Sequence, residues 1–177
     1  MHIREYILIV FVLLCYSLAS KAEEKKDSSY RFTLIKEIPH TPVKDQFRTG
    51  TCWSFAGTSF IESELLRLGK SEVNLSEMFL VNLCYRDKAY RYVRMQGNAN
   101  FGNGGMLHDI LHVIRNYGLV PESVYPGLNY GEKKHVHGEV DNLLKNMVTS
   151  VVQNKNKKIS TSWTVAFKKT ADAYFGE

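Results

Sequence analysis

The sequence predicts a single, dominantly helical domain with very little strand, and three observations carry that prediction. Its 177 residues give room for one domain and little more. A hydrophobic content of 44%, with 12% aromatics, suits a packed core rather than a disordered chain. After residue 50 the apolar residues recur mostly at helical spacing, and alternation is confined to residues 30–35.

The elements follow in order. Arg4 precedes an apolar stretch over residues 6–18, then Ala19-Ser20-Lys21-Ala22. A charged start, a short greasy centre and small residues predict a secretory signal peptide over 1–22, cleaved after Ala22. The stretch is too short to span a membrane comfortably, so an exported chain with no membrane segment after cleavage is expected. Residues 23–40 read as a flexible N-terminus ending in a short strand at 30–35. Thr51 is a candidate N-cap for a helix opening at Cys52, with Phe60, Ile61, Leu65 and Leu68 on one face and Gly69 as the stop. A second helix is expected near Asn74 or Ser76, with Asn74 and Glu77 resembling a capping box, and carries Met78, Phe79, Val81 and Leu83 to Cys84. Residues 86–105 read as a loop. A third helix over 106–117 presents Leu107, Ile110, Leu111 and Ile114, and Gly118 ends it. Two amphipathic helices follow, one with Val140, Leu143, Leu144, Met147, Val148 and Val151, the other from Ser160 with Trp163, Phe167 and Tyr174.

The net charge of +5 is spread along the chain, and its densest run, Lys155-Asn156-Lys157-Lys158, contains no aromatic to stack on a base. No nucleic-acid partner is expected. Among the histidines, His108-Asp109-Ile110-Leu111-His112 mimics H-E-x-x-H, but Asp is shorter than the Glu of that motif and no third ligand follows. A solvated helix face accounts for it, and no metal site or cofactor is expected. His135 and His137 sit in a Lys- and Gly-flanked loop whose alternation suits exposed side chains.

Cys52 carries the chemistry. A thiol in the first turn of a helix meets unsatisfied N–H groups and the positive end of the dipole, both of which favour the thiolate. Gly50 lets the backbone come close to a ligand. The amide of Gln46, with the Cys52 N–H, could hold an oxyanion. Trp53 would shield the site. Each feature taken singly also fits simple packing. With Cys15 removed in the signal, Cys52 and Cys84 remain, and in an oxidising compartment the two could pair instead.

Taken together, Gln46 and Gly50-Thr51-Cys52-Trp53-Ser54-Phe55-Ala56 resemble the active-site region of papain-like cysteine peptidases. Leu75-Ser76-Glu77 with Leu80-Val81-Asn82 resembles that family's next helix. Asn103-Gly104-Gly105 resembles its substrate-backbone strip, and Gly118-Leu119-Val120-Pro121-Glu122 with Tyr125-Pro126 the segment after the third helix. The resemblance implies the α+β papain-like cysteine peptidase fold, mainly its helical half over residues 41–126, with the β-rich half largely missing. It also implies Cys52 and Gln46 as catalytic residues, Asn103, Gly104, Gly105, Met106 and Trp53 as substrate-binding residues, and a peptide as partner.

Thr49 and Gly102 stand where typical members carry disulfide cysteines, which favours two free thiols here. That absence, with Tyr117-Gly118-Leu119-Val120-Pro121, resembles most the bleomycin hydrolase and aminopeptidase C branch. A helical insertion of that branch suits residues 127–177, and a homo-oligomer is expected at full length. The family's His and Asn come roughly 130–150 residues after the Cys, past Glu177, so a truncated chain lacking them is expected. The competing expectations are a catalytically inactive peptide-binding module and a thiol redox protein using Cys52 and Cys84, although the C-x-x-C spacing is absent.

Overall fold

The computed structural model describes residues 30–156 and 158–177, so the signal-peptide reading of 1–22 and the start of the flexible tract lie outside the described residues. Five helices occur among them: α1 (Cys52–Arg67), α2 (Glu77–Arg94), α3 (Leu107–Tyr117), α4 (Gly138–Val152) and α5 (Ser162–Phe175). The remaining ordered pairing among the described residues is two isolated bridges, Arg48 with Val136 and Leu75 with Pro121. The expected helical half is therefore what is observed.

Helix α2 is the axis and touches the other four. Met78, Val81, Tyr85, Ala89 and Val93 recur three and four apart and are all buried. They form one core with Phe101, with Val140, Leu144 and Val148 of α4, and with Phe167, Ala171 and Phe175 of α5. A second cluster, Leu80 and Leu83 against Ile110 and Val113, joins α2 to α3. None of the described helices is long and apolar enough to cross a membrane.

Several local expectations are corrected. Residues 30–35 form no strand, and Phe32 and Ile35 are exposed; among the described residues no neighbouring segment completes their hydrogen bonds. Helix α2 does not stop near Cys84 but runs to Arg94, because Tyr85, Ala89 and Val93 prolong the apolar stripe past the Arg- and Tyr-rich surface positions. It ends in a Schellman turn in which Gly97 N–H reaches Tyr92 O and Gln96 N–H reaches Val93 O, with Gln96 in the left-handed region. Its N-cap is Ser76, whose hydroxyl accepts from Phe79 N–H at 3.0 Å, not Asn74.

Helix α1 buries the opposite of what its apolar residues suggest. Phe60 and Leu68 are 58% and 60% exposed, whereas Ser54, Gly57, Thr58 and Glu62 face inwards. The inward polar groups are all partnered. Ser54 Oγ donates to Glu77 O, Thr58 Oγ1 to Glu77 Oε1, and Glu62 accepts from Thr41 Oγ1, Lys44 Nζ and Leu75 N–H. In α3 the buried pair is Ile110 and Val113, while Leu107 and Leu111 are exposed.

Candidate active site

The turn before α1 is fixed by its own polar groups. Gln46 Nε2 donates to Thr49 O at 2.8 Å, and Thr49 Oγ1 donates back to Gln46 O at 3.2 Å. The Gln46 amide therefore stays within the turn that delivers Cys52, with one of its two hydrogens still free. Arg48 N–H donates to His135 O and His137 N–H to Arg48 O, at 3.0 and 3.2 Å, tying this turn to the segment before α4.

Cys52 is exposed and is the first residue of α1. Thr51 occupies the N-cap position but makes no side-chain cap; its hydroxyl lies 2.6 Å from that of Thr49. Among the described residues, no protein acceptor takes the backbone N–H of Cys52 or Trp53. The mouth of the helix thus keeps unsatisfied donors beside the sulfur.

Trp53 locks the strip of residues 103–105 to this mouth. Its Nε1 donates to Asn103 O at 2.8 Å, and a Cβ on Gly105 would lie 2.5 Å from its ring. The role expected for Gly50 is corrected: the space its Cβ would fill holds the Asn103 side chain, 2.4 Å away, so this glycine admits the strip rather than a ligand. Asn103 Nδ2 donates to Asp141 Oδ2 of α4 at 2.8 Å, and Asp141 Oδ1 accepts from Tyr85 OH of α2. Lys88 of α2 donates to the carbonyls of Gly102 and Gly104 and lies 5.5 Å from the Trp53 ring. Met106 follows, 67% exposed, its N–H held by Asp109 Oδ2.

The structure thus gathers Cys52, Trp53 and Asn103–Gly105 around one end of α1, with Gln46 in the approach and Met106 open to solvent. Sequence reasoning missed Lys88 and Asp141. Both sit on helices remote in sequence, and nothing local marks either as a support of the strip.

The histidines divide differently from expectation. His108 and His112 are exposed on α3, and no cluster of three metal-ligating side chains occurs among the described residues. His135 and His137, expected to be exposed, are buried, His137 completely. Hydrophobic neighbours decide this: Phe55 lies edge-on to His135, and Phe175 to His137, with ring centroids 6.2 and 5.2 Å apart. Neither ring nitrogen of His137 has a protein partner, and burial pushes its pKa down to about 4. Cys52 and Cys84 are both free; Cys84 is buried, and burial pushes its thiol up to about 11.

A thiol at an uncapped helix mouth, a glutamine in the turn before it and a tryptophan-locked strip define the helical half of a papain-like thiol protease. The chain belongs to the papain family of cysteine proteases, whose model matches residues 30–173. It is similar to cathepsin L2 of Homo sapiens, 36% identical over 112 residues, which cover 58% of this chain and 31% of that protein. It is similar also to the mitochondrial cysteine proteinase 1 of Saccharomyces cerevisiae, 27% identical over 131 residues, or 64% of this chain and 27% of that one. The fold resembles the crystal structure of PepW from Lactobacillus rhamnosis, with a TM-score of 0.54 and 17% identity over 80% of this chain and 37% of that one. The chain spans 27–37% of the length of these three proteins.

Proposed function

We propose that this chain supplies the nucleophile half of a cysteine peptidase. The single observation that carries the reading is the exposed Cys52 thiol beside backbone N–H groups that no protein acceptor takes, within a family of cysteine proteases. The Cys52 thiolate attacks the scissile carbonyl carbon, forming a C–S bond and moving an electron pair onto oxygen. The Cys52 N–H and the free hydrogen of the Gln46 amide receive that oxyanion. Collapse breaks the C–N bond, the amine leaves with a proton from a general acid, and water then hydrolyses the thioester. Asn103, Gly104 and Gly105 align the substrate backbone, with Trp53 and Met106 flanking it.

Among the described residues no histidine ring bonds to the Cys52 sulfur: His40 pairs with Thr41 O, His108 and His112 lie on α3, and His135 and His137 are buried. The reading leaves the general acid and the residue that orients it unassigned among the described residues. The finer reading, an aminopeptidase of the bleomycin hydrolase type with α4 and α5 as its helical insertion, is supported by Thr49 and Gly102 at the places of disulfide cysteines. Export of the mature chain through residues 1–22 belongs to the same reading.

Alkylation by iodoacetamide tests it. Cys52, exposed at the helix mouth, is expected to react far faster than the buried Cys84, and Cys52→Ser to abolish the fast label. A Cys52 rate no greater than that of Cys84 rejects the accessible nucleophile.

A further inference from the structure

A groove of about 820 Å³ runs between α2 and α3, and the thiol in its lining is that of Cys84, not Cys52. Its apolar lining comes from Met95, Leu111 and Val113, and its rim carries Arg91, Arg94 and Arg115. Through Lys88, Arg91, Met95, His108 and Asp109 it opens into a second hollow of about 630 Å³. That hollow is lined by Gly102, Gly104, Gly105 and Met106, so the groove is continuous with the strip beside Trp53.

The charges in this trough are unbalanced. Among the described residues no carboxylate lies within ion-pair distance of Arg91, Arg94 or Arg115. The groove holds two carboxylates, Asp87 and Asp109, against the four cations Lys88, Arg91, Arg94 and Arg115, so positive charge remains in excess. Asp109 accepts the Met106 N–H and faces His108 Nε2 at 3.5 Å; Asp87 faces His112 Nε2 at 3.2 Å and accepts from Tyr117 OH. Lys88 spends its hydrogens on backbone carbonyls, which leave its charge uncompensated. Helix C-termini do favour Arg91, Arg94 and Arg115 in last turns, but that preference is met equally by side chains turned to open solvent. Here all three line one trough, on faces spaced three and four apart along two helices.

We propose that this trough is an extended subsite for an acidic tract of the peptide substrate, reached when the substrate backbone lies along Asn103–Gly105. The proposal rests on the peptidase reading above and adds to it a substrate class. Glutamate or aspartate side chains supply the missing countercharges, and their methylenes, like those of the arginines, cover the apolar lining. A nucleic acid fits less well, because the one aromatic of the groove, Tyr90, is engaged edge-on with Trp163 at 5.4 Å and offers no stacking platform.

Chloroacetamide-bearing peptides of equal length, one with five glutamates and one with five glutamines, test this by their rate of alkylating Cys52 in the full chain. The glutamate peptide is expected to react on the order of tenfold faster at low salt. That ratio should fall towards one in 0.5 M salt and in the triple variant Arg91→Gln, Arg94→Gln, Arg115→Gln. A control variant, Arg67→Gln with Lys70→Gln at the far end of α1, should keep it. Equal rates for the two peptides, or a ratio untouched by the triple variant, overturns the subsite while iodoacetamide still labels Cys52 rapidly. Stronger protection of Cys52 by a single-stranded oligonucleotide of matched charge also overturns it. If instead iodoacetamide labelling is slow but the peptide ratio and its loss in the triple variant persist, the groove stands and the nucleophile reading fails.

Discussion

Trp53 and Gly105 pack face to backbone: a Cβ at position 105 would sit 2.5 Å from the indole ring. That contact is the hinge between the helix bearing the thiol and the strip beside it. Gly105→Ala must push the ring away, and the ring cannot yield without breaking the 2.8 Å bond from Nε1 to Asn103 O. We expect a loss of about 1–3 kcal/mol in urea unfolding. Red-shifted tryptophan fluorescence in the folded variant should accompany it. An unchanged midpoint and spectrum would show that the strip floats free of Trp53.

The ionic cluster under α1 should be among the costliest polar sites to disturb. Lys44 Nζ lies 2.8 Å from Glu62 Oε1 and 2.6 Å from Glu77 Oε1, and both carboxylates are buried. Lys44→Met leaves two desolvated carboxylates facing each other without their cation. The expected loss is about 3–5 kcal/mol, against little or none for breaking the exposed Arg67–Glu64 pair. Equal effects of the two substitutions in chemical denaturation would contradict the burial of the cluster.

Helix α1 shows what the sequence could and could not tell. Its start at Cys52, its stop near Gly69 and the gathering of Cys52, Trp53 and Asn103–Gly105 were legible, because backbone signals and motif order are local. Its buried face was not. Glu62 faces inwards only because Lys44, Thr41 and Leu75 arrive from elsewhere in the chain to satisfy it, and Thr58 because Glu77 does the same. Hydrophobic periodicity cannot foresee partners supplied by tertiary contacts. For the same reason His135 and His137 read as surface residues, and Lys88 and Asp141 as ordinary helix positions.

The reversal of that face gives a direct comparison. Phe60→Ser should change stability by less than about 0.5 kcal/mol, since the ring is largely in water already. Thr58→Val, nearly isosteric, removes the donor to Glu77 Oε1 and should cost about 1–3 kcal/mol. Thermal midpoints in the opposite order would restore the apolar stripe as the buried face.

Two buried groups tilt the pH profile in opposite directions. Burial, reinforced by the negative charge of Glu77, pushes Glu122 from an ordinary 4.5 up to about 7. The folded chain then holds a proton that the unfolded chain has lost, so this contribution to stability is complete below pH 4.5 and fades as pH rises through 7. His137 works the other way. Burial, with His135 beside it, takes it from 6.5 down to about 4, so its contribution is complete above pH 6.5 and fades as pH falls towards 4. His135 is lowered too, again by burial, although Glu77 and Asp45 pull against the shift. Between pH 4 and 7 the slopes from Glu122 and the histidines oppose each other. Glu122→Gln should therefore make the urea midpoint fall more steeply on acidification. His137→Phe, which keeps an aromatic ring against Phe175, should flatten or reverse that fall. Parallel profiles for the native chain and both variants would mean that neither group changes its proton occupancy on folding, and would place His137 in water rather than against Phe175.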